Sequence, residues 1–84
     1  MDNMKEFISS LLLNVTGEEI NNRTVMSDDN TLIIYLSPSK SQMGKVLGKK
    51  GKIIKAIKIL ASSFAARTMQ KRCIIVVEGI ETTT

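Results

Sequence analysis

The sequence is most easily characterised by what it lacks, since its 84 residues include no histidine, no tryptophan, one cysteine and one proline. Without histidine, the commonest general base and the commonest metal ligand are both missing. The chain has no paired cysteines, and its acidic residues show no ligand spacing that would predict a metal site. We therefore expect neither an enzyme nor a protein that needs a metal or another cofactor.

The single cysteine and the lack of a long apolar run indicate the cellular compartment of the protein. Cys73 cannot form a disulfide within the chain, and its apolar neighbours, Ile74 to Val77, favour a small buried hydrophobe at this position. No apolar run approaches the roughly 20 residues that a membrane span requires, and the N-terminus lacks a basic segment followed by an apolar signal core. We expect a cytoplasmic protein that does not associate with membranes.

Acidic residues are absent from one long segment of the chain. Residues 40–72 carry ten Lys and Arg residues and no Asp or Glu, whereas residues 1–39 carry six acidic residues against Lys5 and Arg23. A one-signed segment of this length repels itself, and it usually indicates a polyanionic ligand. The alternative is a solvated basic face that keeps the protein soluble.

Hydrophobic periodicity and turn residues predict a single domain, over residues 1–84, of three helices and three strands. The predicted elements are a helix at about 3–15, strands at Ile20–Met26 and Thr31–Leu36, helices at about Gln42–Leu47 and Lys52–Met69, and a strand at Arg72–Glu78, with a flexible tail at about 80–84. The first two strands form a hairpin, and the two-helix crossover makes the last two parallel. The prediction is a two-layer α+β domain of order α-β-β-α-α-β, with a three-stranded mixed sheet and its helices on one face.

The interruption Gly48-Lys49-Lys50-Gly51 lies between the last two predicted helices. Glycine tolerates the dihedral angles of such a tight turn, so the glycines alone have a purely structural explanation. The two lysines between them, with Lys45 and Lys52 close by, favour the binding of an anion at the start of the following helix. A Walker-type phosphate loop is excluded, because the run from Gly44 to Lys49 shares only part of that motif's glycine spacing and is followed by Lys50-Gly51, not by a hydroxyl residue and a helix.

The run from Met43 to Ile57, MGKVLGKKGKIIKAI, resembles the signature of KH domains, whose Gly-x-x-Gly loop clamps about four nucleotides. The element order resembles the type II form of that fold. Over about Met4 to Gly79, the chain is similar to the small bacterial KhpA family of RNA-binding proteins. The chain departs from that pattern at residues 37–41, where Pro38 breaks the end of the strand.

The resemblance implies a protein that binds single-stranded RNA, as an RNA chaperone or a post-transcriptional regulator. It also implies association with a larger KH-containing RNA-binding protein. Because such a module is small and its binding is sensitive to salt, we expect it to need a partner or self-association to act on RNA. The loop lysines and backbone amides would hold phosphates, and aliphatic residues would line a groove for the bases. The implied RNA-binding residues are Gly44, Lys45, Val46, Leu47, Gly48, Lys49, Lys50, Gly51, Lys52, Ile53, Ile54 and Lys55.

Few aromatic residues are available for base stacking. Phe7, Tyr35 and Phe64 all occupy positions where packing in the core is the expected role. Recognition by stacking on aromatic platforms is therefore not expected. Two other functions use the same features: a protein-interaction adaptor that docks on an acidic partner, and a single-stranded DNA binder that uses the same groove.

Overall fold

The computed structural model describes residues 2–79, which form the predicted elements in the predicted order. The elements are α1 (Asp2–Thr16), β1 (Asn21–Asp28), β2 (Thr31–Ser37), α2 (Lys40–Leu47), α3 (Lys52–Thr68) and β3 (Arg72–Val77), and a tight turn at residues 48–51 connects α2 to α3. The predicted α+β class and element order are confirmed. The tail predicted at about 80–84 lies outside the described residues.

The sheet has the order β1-β2-β3, with β2 in the centre. β2 pairs antiparallel with β1, as in Thr24 opposite Ile34, and parallel with β3, as in Ile34 opposite Ile75. A parallel pair needs a long crossover connection, and α2 and α3 provide it. The mixed three-stranded sheet predicted from the sequence is therefore confirmed.

The core lies between the sheet and the helices, on one face of the sheet only. Along β2, Leu32, Ile34 and Leu36 are fully buried, whereas the alternating residues Ile33 and Tyr35 are only half-buried. This alternation is that of a strand with one covered face. The buried residues that meet there are Met4, Ile8 and Leu12 of α1, Ile20 before β1, Val46 of α2, Ile54, Ile57, Ala61 and Ala65 of α3, and Ile75 of β3.

The edge strand β1 explains the polar composition of this part of the sequence. It pairs on one side only, and its register is interrupted by an irregularity between Met26 and Asp28. Polar residues and bulges are common on edge strands, because they discourage pairing with a second chain.

α2 begins two residues earlier than predicted, at Lys40. Pro38 ends β2, and the N–H of Ser39 donates a hydrogen bond to Gln42 Oε1 over 3.0 Å. This is the reciprocal half of a capping box, which stabilises a helix start at Ser39.

The three aromatic residues do not share one environment. The rings of Phe7 and Phe64 stack with centroids 4.1 Å apart and an interplanar angle of 9°, joining α1 to α3. Tyr35 lies instead on the uncovered face of the sheet, where the guanidinium of Arg23 lies 4.1 Å from its ring centroid. The expectation that Tyr35 belongs to the core is wrong, because its position in β2 alternates with those of Ile34 and Leu36.

We predict that Ile34→Ala destabilises the protein by about 2–5 kcal/mol, because it opens a cavity in the core. Ile33→Ala removes the same atoms from the half-buried face and should cost distinctly less. Urea unfolding followed by circular dichroism measures both changes in the free energy of unfolding. Equal losses in the two variants would contradict the one-sided core.

Candidate nucleic-acid interface

The turn between α2 and α3 starts at Gly48, which has φ 73° and ψ 179°. This region of backbone space is essentially restricted to glycine. A Cβ atom at Gly48 would also lie only 2.5–2.9 Å from three side-chain atoms of Ile53. Glycine is therefore required here for two independent reasons, a backbone conformation and a close contact.

The tip of the turn continues with two left-handed residues, Lys50 (φ 55°, ψ 29°) and Gly51 (φ 73°, ψ 17°). The N–H of Gly51 donates to the carbonyl oxygen of Gly48 over 3.2 Å, which closes the turn. A left-handed lysine costs on the order of 1 kcal/mol of backbone strain, and strain of this kind clusters at ligand clamps. The turn thus holds Lys49 and Lys50 at its exposed tip.

α3 starts directly after this turn and presents an unshielded N-terminus. Gly51 occupies the N-cap, no side chain caps the helix, and its first turn contains no acidic residue. The first N–H groups of a helix lack intrahelical acceptors and carry the positive end of its dipole. Such an N-terminus attracts anions, phosphate among them.

Five exposed lysines surround the turn: Lys45, Lys49, Lys50, Lys52 and Lys55. Among the described residues, only Lys45 of these five forms an ion pair, and its partner is Glu18 in the α1–β1 connection. The other four have no such partner within residues 2–79, so their charge is available to a ligand.

Glu18 is held by two side chains of α2. It accepts hydrogen bonds from Lys45 Nζ and from Gln42 Nε2, the latter over 2.9 Å. The hydrogen bond from Lys45, with the one from Gln42 and the charge of Lys45, holds the pKa of Glu18 below its ordinary value. The carboxylate is therefore ionised at neutral pH.

The aliphatic residues predicted to line a groove fall into two groups. Gly44 is exposed, and Leu47 and Ile53 are half-buried beside the turn. Val46 is fully buried and Ile54 is only 8% exposed, because helical periodicity directs both toward the sheet. The expectation that these two line the groove wall is therefore corrected: they lie behind it, in the core.

Gly44 has no evident structural role in the folded chain. It lies inside α2 with no positive φ, and a Cβ placed on it would meet no atom within 4 Å. Glycine within a helix costs about 1 kcal/mol relative to alanine. The fold does not require glycine at position 44, which lies next to the basic turn. A glycine there is what we expect of a surface on which a ligand lies close to the backbone.

Glu18 and Gln42 were not identified from the sequence. Glu18 is 27 residues away from Lys45, and no local pattern connects the two. Only the packing of the α1–β1 connection against α2 brings them together.

Within residues 2–79, no three His, Cys, Asp or Glu side chains are grouped so that they could hold a metal ion. In the same part of the chain, the helices are too short or too polar to cross a membrane.

Comparison with known proteins settles the family. Residues 5–77 match the family described as "KhpA/KhpB, KH domain". The chain belongs to the KhpA/KhpB family of KH domains. The predicted resemblance to the KhpA family is thereby confirmed, and so is the type II KH fold, with which the observed topology agrees.

Several relatives are similar to this chain over most of both lengths. A protein of Chlamydia trachomatis named "RNA-binding protein KhpA" is 36% identical over 77 residues, which cover 89% of this chain and 97% of the relative. Proteins of the same name are 39% identical over 66 residues in Chlamydia pneumoniae, with 76% and 83% covered, and 33% identical over 66 residues in Borreliella burgdorferi, with 79% and 78% covered.

We predict that Gly48→Ala destabilises the protein by about 2–4 kcal/mol, since a forbidden backbone conformation adds to the clash with Ile53. Gly51→Ala should cost only about 1 kcal/mol, because its Cβ would meet Ile54 at an ordinary 3.9 Å. Gly51→Asn, which tolerates the left-handed region better, should recover part of that loss. Urea denaturation compares the three variants, and an equal loss for Gly48→Ala and Gly51→Ala would contradict the geometry of the turn.

Proposed function

We propose that this protein binds single-stranded RNA and that the Gly48–Gly51 turn holds the RNA phosphates. The observation that carries the proposal is the position of Lys49 and Lys50, exposed on a tight turn beside the uncapped N-terminus of α3. The lysine charges and the positive end of the α3 dipole converge there on the same small surface. Membership of the KhpA/KhpB family and relatives named as RNA-binding proteins support it.

In the proposed complex, phosphates contact Lys49, Lys50 and the first N–H groups of α3. Lys45, Lys52 and Lys55 extend the positive surface along both helices. The bases lie against the exposed backbone at Gly44 and the half-buried side chains of Leu47 and Ile53, while Val46 and Ile54 support this surface from the core.

Aromatic stacking has no part in the proposed mechanism. Phe7 and Phe64 stack on each other, and Tyr35 lies beneath Arg23 on the face of the sheet opposite the helices. Binding therefore depends on phosphates and aliphatic contacts, which gives modest affinity, limited sequence preference and strong dependence on salt. These properties suit an RNA chaperone or a general post-transcriptional regulator.

A module of this size gains affinity when it is joined to a second one. We propose that the protein acts together with a larger KH-containing RNA-binding protein or with a second copy of itself, in the cytoplasm. The family description, which names KhpA and KhpB together, supports the first of these partners. The free thiol of Cys73 suits a reducing compartment.

Single-stranded DNA is the nearest alternative ligand, since it offers the same phosphates. Competition between RNA and DNA of one sequence at matched salt separates the two. An adaptor that docks on an acidic protein is the other alternative, and such a contact elsewhere on the surface would survive changes in the turn.

We predict that Lys49→Asp/Lys50→Asp lowers the affinity for a short single-stranded RNA at least about tenfold at low salt, because two phosphate contacts become repulsive. Loss of these contacts should also reduce the slope of log K against log salt by about 0.7 for each contact. Fluorescence anisotropy with a labelled RNA pool, measured across a salt series, gives both quantities.

The matched control is Arg67→Glu/Arg72→Glu, which changes the net charge by the same amount. Arg67 lies 15 residues after Lys52 on α3, about 22 Å along the helix. This control should weaken binding much less than the loop variant does. Equal losses would show that net charge, and not the turn, attracts the RNA.

We predict that Gly44→Ala separates stability from binding. The variant should be more stable by about 0.5–1 kcal/mol, because alanine is the better helix former and has room for its Cβ. It should nevertheless bind RNA more weakly, because the added methyl group occupies the surface where the RNA lies. Thermal unfolding and anisotropy measure the two effects, and unchanged RNA affinity would contradict the proposed position of the ligand.

A further inference from the structure

One cation of the proposed RNA surface already has a partner in the folded chain. Lys45 lies in the last turn of α2, just before Gly48, and its ammonium pairs with the carboxylate of Glu18. Both side chains remain partly exposed, at 51% for Lys45 and 37% for Glu18. A ligand can therefore reach this ion pair.

The structure holds Glu18 in place before any ligand arrives. α1 ends at Thr16 and is followed by Gly17 (φ 80°), and the N–H of Glu18 donates to Thr16 Oγ1 over 3.1 Å. Gln42 Nε2 then donates both to Glu18 Oε1 over 2.9 Å and to the carbonyl oxygen of Glu19 over 3.1 Å. The carboxylate is thus directed at α2 by contacts on both sides, so its position costs little additional entropy when Lys45 joins it.

We propose that Glu18 is an internal competitor of the RNA: it occupies Lys45 in the free protein, and a bound phosphate must displace it or share the ammonium with it. This inference rests on the proposed function of the turn. In this exchange, an RNA phosphate replaces the Glu18 carboxylate at the ammonium of Lys45. An exposed ion pair is weak, so RNA can displace the carboxylate, but each displacement lowers the net affinity.

Competition by Glu18 restricts which ligands can contact Lys45. Lys49, Lys50, Lys52 and Lys55 pair with no acidic residue within 2–79, so they accept any phosphate that reaches them. Lys45 becomes available only to a phosphate that outcompetes Glu18, which requires a strand already aligned on the turn. Ligands that reach only these four lysines are therefore unaffected by Glu18, whereas a strand that also contacts Lys45 binds more weakly than it would without Glu18.

The test compares Glu18→Gln with Glu19→Gln. Both variants remove one negative charge from adjacent positions, but the Glu19 side chain pairs with no described cation, and only the backbone carbonyl of that residue bonds to Gln42. Glutamine at position 18 can still accept the hydrogen bond from Gln42, so the local structure is retained. Anisotropy titrations with labelled single-stranded RNA across a salt series measure each variant.

Glu18→Gln is expected to raise the RNA affinity about two- to fivefold at low salt, the factor that corresponds to an exposed ion pair. The slope of log K against log salt should change by less than about 0.7, the value for one phosphate contact, because the RNA also contacts Lys45 in the wild type once it has displaced Glu18. Glu19→Gln should leave both quantities close to those of the wild type. In a Lys45→Gln background, Glu18→Gln should have no further effect.

Equal gains in the two glutamine variants would overturn the inference, because the effect would then be general electrostatics. A loss of affinity in Glu18→Gln would also overturn it, since Glu18 would then position Lys45 for the RNA. The variant Lys49→Asp/Lys50→Asp is titrated alongside. If that variant binds like the wild type, the proposed function of the turn fails; if it loses binding while the two glutamine variants agree, only the competition by Glu18 fails.

Discussion

The packing of Ile53 against Gly48 determines the shape of the basic surface. Both helices of the crossover must cover the same face of the sheet, and each contributes buried residues, Val46 from α2 and Ile54 from α3. Four residues are left to reverse the chain, and the turn closes only because Gly48 has no side chain where Ile53 packs. Packing in the core thereby determines the conformation of the backbone at the surface, and with it the position of Lys49, Lys50 and the N-terminus of α3.

The distribution of charge follows from this arrangement. The acid-free segment 40–72 forms α2, the turn, α3 and the first residue of β3, and nearly all of its lysines and arginines are exposed. Within residues 2–79, acidic residues contact the basic segment through Glu18 with Lys45 and through the carbonyl oxygen of Asp29 with Lys71, and the first of these contacts lies beside the turn. The remaining repulsion within the segment is tolerated because hydrophobic burial, which does not depend on charge, holds both helices on the sheet.

Most of the fold follows from local patterns in the sequence. Helix periodicity, the turn residues between β1 and β2, and the glycines at 48 and 51 are local signals, and they place every element within about two residues of its observed ends. The sequence does not place Tyr35 correctly, because an apolar central strand does not show which of its faces is covered. That choice depends on where the helices pack, which is a property of the whole chain.

Part of the candidate site could also be predicted, because that part is formed by residues that are neighbours in the sequence. The basic turn is contiguous in sequence, so its lysines and glycines were identified correctly as neighbours. The buried position of Val46 and Ile54 depends on the orientation of α2 and α3 against the sheet, and the contacts of Glu18 with Lys45 and Gln42 join segments far apart in the chain. Only tertiary structure supplies that information.

Mapping of amide chemical shifts shows whether RNA lies on the turn between α2 and α3. Addition of a short single-stranded RNA to the ¹⁵N-labelled protein should shift the amides of residues 44–55, with the largest changes at Lys49 to Ile53. The amides of Val25, Ile33 and Ile74 lie in one row of the sheet, and their side chains are on its uncovered face, so these amides should change little. Shifts concentrated on that row, with none at the turn, would contradict the account.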